Sequence, residues 1–207
     1  MNILVINGDC IQRNSSANLC HLAYISGLLR LGHKVSLLSA SAEGYEIDSN
    51  MAVPEGVIQY TYPGMSLYER ISIQKNKSSN SEAVNNANKP NKEKQSNRVG
   101  FLGKIKKKIL DLYGVHGIYA TFVRKARRFS SKEHFDYVIS LSAPTSSHLL
   151  AYKLIKSKRI VADHWIQIWE DPWYVDAYGF NGKDKIRKEE QRLLCLRLGL
   201  AIAWLSG

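Results

Sequence analysis

Short apolar runs alternate with helix-patterned stretches from the start of the chain. Residues 3–6 form a continuous apolar run, which is typical of a strand buried on both faces of a parallel sheet. A helical pattern follows: Ser15 can cap it, it runs to about Leu31, and Gly32 ends it. Residues 35–39 are the next apolar run, so the pattern predicts a β-α-β unit.

The same alternation continues along the chain. Further elements are predicted as strands at residues 57–62, 137–141 and 159–163, and as helices at residues 116–129 and 146–155. This order of elements predicts an α/β fold with a doubly wound, mainly parallel sheet of the Rossmann-like kind. We expect one such domain over residues 1–207.

A basic region interrupts this order. Residues 74–98 are rich in Ser, Asn and Lys, so we expect a flexible insertion there. Residues 99–113 predict an amphipathic helix, whose apolar side consists of Phe101, Leu102, Ile105, Ile109, Leu112 and Tyr113. Lysines cover most of the other side, which suits an anionic membrane surface. A helix packed on the core with a solvated lysine face is the alternative.

Most of the positive charge lies in the same part of the chain. The net charge is +11, and residues 75–132 hold fifteen Lys or Arg against three acids. Such a stripe favours an anionic partner, although a solvated insertion would explain it equally well. The sequence has neither an apolar run long enough for a membrane span nor a signal-peptide pattern. We therefore expect a cytoplasmic protein; if residues 99–113 form the membrane-binding helix, it would contact the inner face of the membrane peripherally.

A tryptophan-rich segment follows the last predicted strand. Three indoles spaced by four residues surround an acidic pair: Trp165, Trp169, Glu170, Asp171 and Trp173. Large rings at the end of a strand indicate a binding site, whereas burial of Trp165 and Trp169 in the core is an equal alternative. The two carboxylates are candidates for binding sugar hydroxyls or for acting as a base, or they could cap the next segment.

In an open parallel sheet, ligands bind at the carboxyl ends of the strands. Three segments leave predicted strands at that edge, namely residues 7–9, 142–145 and 164–173, and we predict that they converge on one site. The substrate-binding candidates are Asn7, Gly8, Asp9, Pro144, Thr145, Ser146, Glu170 and Trp173, and the catalytic candidates are His164 and Asp171. Gly8 would permit close approach of a ligand. Thr145 and Ser146 could serve an anion or a sugar, or could simply cap a helix.

The motifs of several other chemistries are absent from the sequence. The loop at Gly8 has neither the dinucleotide-binding glycine pattern nor a phosphate-binding loop. The six histidines form no ligand pair, so we predict no metal site, and a buried imidazole would explain His164 as well as catalysis would. D-x-D and G-x-S-x-G are also absent. Charge alone favours nucleic acid, without any matching motif, so we predict no such partner.

Four segments carry a further signal through their order and spacing. They are MNILVIN at residues 1–7, LLRLGHKV at 28–35, FDYVIS at 135–140 with its exit at Pro144, and EDPW at 170–173. Together they resemble the N-terminal half of GT-B glycosyltransferases of the family-4 type. The resemblance implies two Rossmann-like domains around a cleft, in which the N-terminal domain mainly holds the acceptor. The C-terminal domain mainly binds a nucleotide sugar, usually without a metal.

The resemblance implies transfer of a sugar from a nucleotide-sugar co-substrate to a saccharide or lipid-linked acceptor, with no cofactor. Gly8, Pro144 and Thr145 would line the cleft, and Asp171 and Trp173 would shape the acceptor site. Thirty-four residues follow Trp173, too few for a second domain. We therefore expect a truncated or split product that is inactive alone; a split product would have a separate donor-domain chain as a partner. The alternative is a non-catalytic α/β module that binds a membrane or a protein.

Overall fold

A computed structural model describes residues 1–73, 112, 114–142, 144–170, 183–194 and 201–204. The strands are β1 (Asn2–Asn7), β2 (Lys34–Ala40), β3 (Ile58–Tyr62), β4 (His134–Leu141), β5 (Val161–Trp169) and β6 (Ala201–Trp204). They form one parallel sheet in the order β3-β2-β1-β4-β5-β6. The predicted doubly wound α/β fold is confirmed, and the strand order reverses between β1 and β4.

The helices of the described residues connect these strands. They are α1 (Ser16–Arg30), α2 (67–73), a 3-10 helix at Gly114–Tyr119, α3 (Ala120–Ala126), α4 (Ser146–Lys156) and α5 (Lys183–Leu194). The helix predicted at residues 116–129 is shorter than expected, because Gly117 has a φ of +52° and interrupts the regular helical turns. Among the residues described, no helix has the length and apolar character needed to cross a membrane.

Both faces of the sheet are covered, which explains the continuous apolar runs of the inner strands. In β1, Leu4 and Ile6 contribute to the core under α3 and α4, whereas Ile3 and Val5 contribute to the core under α1. α1 itself begins where Ser15 Oγ accepts a hydrogen bond from the backbone N of Asn18 at 3.1 Å. The predicted cap and apolar strand are therefore both confirmed.

The largest difference between a strand and its prediction is in β5. The strand expected at residues 159–163 begins at Val161 and continues to Trp169, so residues 164–169 lie within the sheet instead of following it. The cause is an alternation of period two that the tryptophan spacing obscured: Trp165, Gln167 and Trp169 are buried, and the residues between them are not.

The tryptophans of β5 belong to the core. Trp165 is 2% exposed and Trp169 is fully buried. Each indole N–H has a partner, because Trp165 Nε1 donates to Ser140 Oγ at 2.9 Å and Trp169 Nε1 donates to Gln167 Oε1 at 3.1 Å. Satisfied N–H groups allow rings of this size to be buried. Of the two alternatives for Trp165 and Trp169, burial in the core is the correct one.

Some expectations fall on residues outside the described ranges. These are the flexible insertion at residues 74–98, the amphipathic helix at residues 99–113 apart from Leu112, and the segment that holds Asp171 and Trp173. They stay predictions.

Replacing Trp169 by Ala should lower the free energy of unfolding by about 3–5 kcal/mol, since it removes a fully buried indole from the core. Urea denaturation measures the change. Val161→Ala is the control, because Val161 lies on the same strand and is 54% exposed; it should cost less than about 1 kcal/mol. Equal losses for the two variants would contradict the placement of Trp169.

Candidate functional site

The turns that follow β1 and β4 are in direct contact at the carboxyl edge of the sheet. The backbone N of Gly8 donates to Ser147 Oγ at 2.8 Å. A Cβ at Gly8 would lie 2.6 Å from Cγ of Pro144, which is closer than carbon atoms can approach. The predicted convergence of these two turns is confirmed, and it lies at the switch point between β1 and β4.

The end of β5 reaches the same edge at Glu170. The backbone N of Glu170 donates to Ser142 Oγ, which follows β4, at 2.8 Å. Its side-chain Oε1 lies 2.9 Å from Nε2 of His21 in α1. Glu170 therefore joins the ends of two strands to the first helix. The next residue, Asp171, lies beyond the described range, and its predicted role is untested.

Most of the predicted substrate-binding residues form the base of this edge. Asn7 is fully buried and its Nδ2 donates to Asn18 Oδ1 at 3.2 Å. Thr145 and Ser146 are also buried, at the start of α4. Thr145 is the N-cap residue of α4, but its side chain makes no capping hydrogen bond, and Ser146 Oγ lies 3.2 Å from Nδ1 of His116.

His164 lies apart from the other candidates. It is an exposed residue within β5, paired with Tyr137 of β4, and the two rings stack with centroids 5.0 Å apart. Four further residues of β5 pair with β4 before the carboxyl edge. The structure therefore does not bring His164 to the convergence of the turns, because β5 is longer than its prediction.

Two buried histidines lie beneath the edge. His148 of α4 places Nδ1 2.7 Å from Ser140 Oγ and its ring 4.5 Å from that of Trp169. Burial lowers the pKa of His148 to about 3 and that of His21 to about 4, although a backbone hydrogen bond with Ser142 opposes the shift of His21. Both imidazoles are therefore neutral at pH 7.

A cavity of about 660 Å³ opens on the same edge, in front of β1, β2 and β3. The segments after these three strands, including α2, line it with Arg13, Asn14, Tyr45, Glu46, Ile47, Asp48, Ser49, Met65, Tyr68, Glu69, Ser72 and Ile73. These residues share no motif in the sequence, since they come from three distant segments of the chain, one of which is α2.

Arg13 is the central cation of this cavity. Its Nη1 lies 3.0 Å from Oδ1 of Asp9 and 3.9 Å from Oε1 of Glu69, and its guanidinium lies 5.0 Å from the centroid of the Tyr45 ring. Asp9 is therefore occupied in holding Arg13. Burial raises the pKa of Asp9, whereas the nearby charge of Arg13 lowers it.

Hydrogen bonds with Ser66, three residues earlier in the chain, position Glu69. Its Oε2 accepts from the backbone N and the hydroxyl of Ser66, both at 2.8 Å, and its backbone N donates back to Ser66 Oγ at 3.2 Å. This is a capping box at the start of α2. The S-x-x-E spacing of residues 66–69 was the one sequence signal that could have located this wall of the cavity.

One group of possible metal ligands occurs among the described residues, at the opposite edge of the sheet. His134, Asp136 and Asp163 have ligand atoms within 4.8 Å of one another. Two of these side chains already contact each other, since His134 Nε2 lies 2.9 Å from Asp163 Oδ1. Asp136 accepts from the backbone N of Asn2 at 2.6 Å. These contacts explain the cluster without a metal.

No family model and no curated protein matches this sequence.

Replacing Gly8 by Ala should destabilise the protein by about 1–3 kcal/mol, because the new methyl group overlaps the Pro144 ring. The double variant Gly8→Ala/Pro144→Ala should recover part of this loss. Urea denaturation of the wild type, both single variants and the double variant gives the coupling energy. A coupling energy near zero would show that the two turns are not in contact.

The free energy of unfolding should decrease as the pH is lowered from 6.5. His21 and His148 titrate near 6.5 in the unfolded chain but near 4 and 3 when folded, so the unfolded state binds protons first. Their contribution is complete above pH 6.5 and is lost as the pH decreases, by about 1.4 kcal/mol per pH unit for each histidine. Urea denaturation at several pH values between about 7.5 and about 5 measures this slope.

His148→Asn should reduce that slope, because the variant has no imidazole at this position to take up a proton on unfolding. An unchanged slope in the His148 variant would contradict the buried, neutral imidazole.

Proposed function

We propose that the cavity at the carboxyl edge holds a hydroxyl-rich acceptor. In this proposal the domain is the acceptor side of a glycosyltransferase of the GT-B, family-4 type. The reaction is transfer of a sugar from a nucleotide sugar to a saccharide or lipid-linked acceptor. A parallel α/β sheet with a cavity beside its switch point supports this reading, as such edges are where α/β proteins bind ligands.

The charge of the cavity is the observation that carries the proposal. Three carboxylates line it, Glu46, Asp48 and Glu69, against the single guanidinium of Arg13. Such a lining repels phosphate but accepts hydrogen bonds from hydroxyl groups. It therefore favours a sugar acceptor over the diphosphate of a nucleotide-sugar donor.

The other lining groups suit the same ligand. Arg13 and Asn14 supply donors, and the Asn14 amide is held by Asp48, whose Oδ2 accepts from Nδ2 at 2.7 Å. Tyr45 and Tyr68 supply apolar ring area. Pockets that combine flat apolar surface with a few fixed polar groups orient small ligands.

Glu69→Gln should weaken saccharide binding about tenfold, since it replaces a charged acceptor by a neutral one of the same shape. Titration of the chain with a panel of neutral mono- and oligosaccharides, followed by NMR, measures the dissociation constants. Glu133→Gln is the matched control, because this carboxylate pairs with Lys34 at the amino edge.

Two outcomes would contradict the proposal. One is binding of uridine diphosphate in the cavity with no binding of saccharides. The other is transfer from a nucleotide sugar that proceeds equally well with the Glu69 variant, which would remove the acceptor role from this cavity.

A further inference from the structure

A second cavity, of about 530 Å³, lies between α3 and α4 at the amino end of the sheet. Six of its eight lining residues are cationic, and the full lining is Arg124, Arg127, Arg128, Lys153, Leu154, Lys156, Ser157 and Arg159. We call it the basic groove. It is distinct from the cavity lined by Glu46, Asp48 and Glu69, which we call the acidic cavity, because α3 and α4 end here, just before β4 and β5 begin.

The positive charge of the basic groove is not neutralised within the described part of the chain. None of its six cations forms an ion pair there. Glu189 is the acid that acts on Lys153, and its carboxylate is already bound by Arg192, whose Nε donates to Oε2 at 2.8 Å. Like charges brought together without counter-charges cost stability, so a function is expected to compensate.

The pKa values of two titratable groups reflect the positive charge of the groove. Burial, followed by the charge of Arg127, lowers the pKa of Lys153. Burial, followed by the charges of Lys153 and Arg127, lowers the pKa of His116 to about 4. Both shifts agree with a positive potential between the two helices.

Helix termini do not explain so many cations. Each helix C-terminus carries roughly half a negative charge, so α3 and α4 together supply about one unit. Six full positive charges surround them. Most of the charge is therefore available to an anionic ligand.

The groove contains cations without an exposed aromatic platform. Tyr152 lies nearby, but Lys156 and Arg192 approach its ring to 5.4 Å and 4.7 Å from the centroid. Single-stranded nucleic acid requires rings on which bases can stack. The arrangement instead suits phosphate groups, which accept charge-assisted hydrogen bonds from several cations at once.

A neighbouring cavity of about 210 Å³ shares Arg124, Arg127 and Lys153 with the groove. Its own lining adds Leu112, which is 85% exposed, together with His116 and Thr121.

We propose that the basic groove binds a compact phosphate-rich anion, of the diphosphate type, either free or as the headgroup of a lipid. The site is separate from the proposed acceptor cavity, and its failure would leave that proposal standing. It would anchor the domain through an end of the sheet that the transfer chemistry does not use.

Calorimetric titration of the full chain with inorganic diphosphate should show saturable binding, at least tenfold tighter than binding of inorganic phosphate. The double variant Arg127→Gln/Lys153→Gln should weaken it at least tenfold, since charge-assisted contacts are lost. Lys125→Gln/Lys132→Gln removes the same charge from exposed positions outside the groove and should change the affinity less than twofold.

Vesicle sedimentation distinguishes the two sources of phosphate. Binding to phosphatidylcholine vesicles that carry a prenyl diphosphate, reversed by free diphosphate, would identify a lipid headgroup. Diphosphate binding without binding to these vesicles would identify a soluble ligand. Equal weakening by the two double variants would overturn the proposal, as would the absence of saturable diphosphate binding. Circular dichroism confirms folding of each variant, and the single variant Arg127→Gln, at an exposed position, repeats the test.

Discussion

The close approach of the β1 and β4 turns is the constraint on which the carboxyl edge depends. The hydroxyl of Ser147 accepts from the backbone of Gly8 and donates to the carbonyl of Pro144, both at 2.8 Å, so one side chain fastens both turns. No side chain fits between them at Gly8. Because β1 and β4 flank the point where the strand order reverses, this contact sets the spacing of the loops around it.

The fold could be predicted from the sequence because its signals are local. Apolar runs of strand length, the serine before α1 and Gly32 after it each specify their own few residues. β5 shows where such signals fail. Trp165, Gln167 and Trp169 of this strand are buried in alternation. The indole N–H groups can be buried because they have partners on β4 and on β5 itself, and the sequence does not show these contacts.

The candidate site was only partly predictable, for a related reason. The turns at Gly8 and Pro144 follow strands directly, so their meeting is a consequence of sheet topology. The acidic cavity instead gathers Arg13, Tyr45 and Glu69 from segments that follow three different strands. Each residue is unremarkable in its own segment, and only long-range packing gives the three a common environment. His21 was missed in the same way, because its partner Glu170 is far along the chain.

The separation of the two cavities has an electrical consequence. Carboxylates prevail in the lining of the cavity where the strands end, and cations prevail in the lining of the groove where they begin. Near a negatively charged layer the groove would be attracted and the acidic cavity repelled, and this pair of forces exerts a torque. The torque would turn the strand origins toward the layer and leave the mouth of the acidic cavity open to the surrounding solution, before any specific contact had formed.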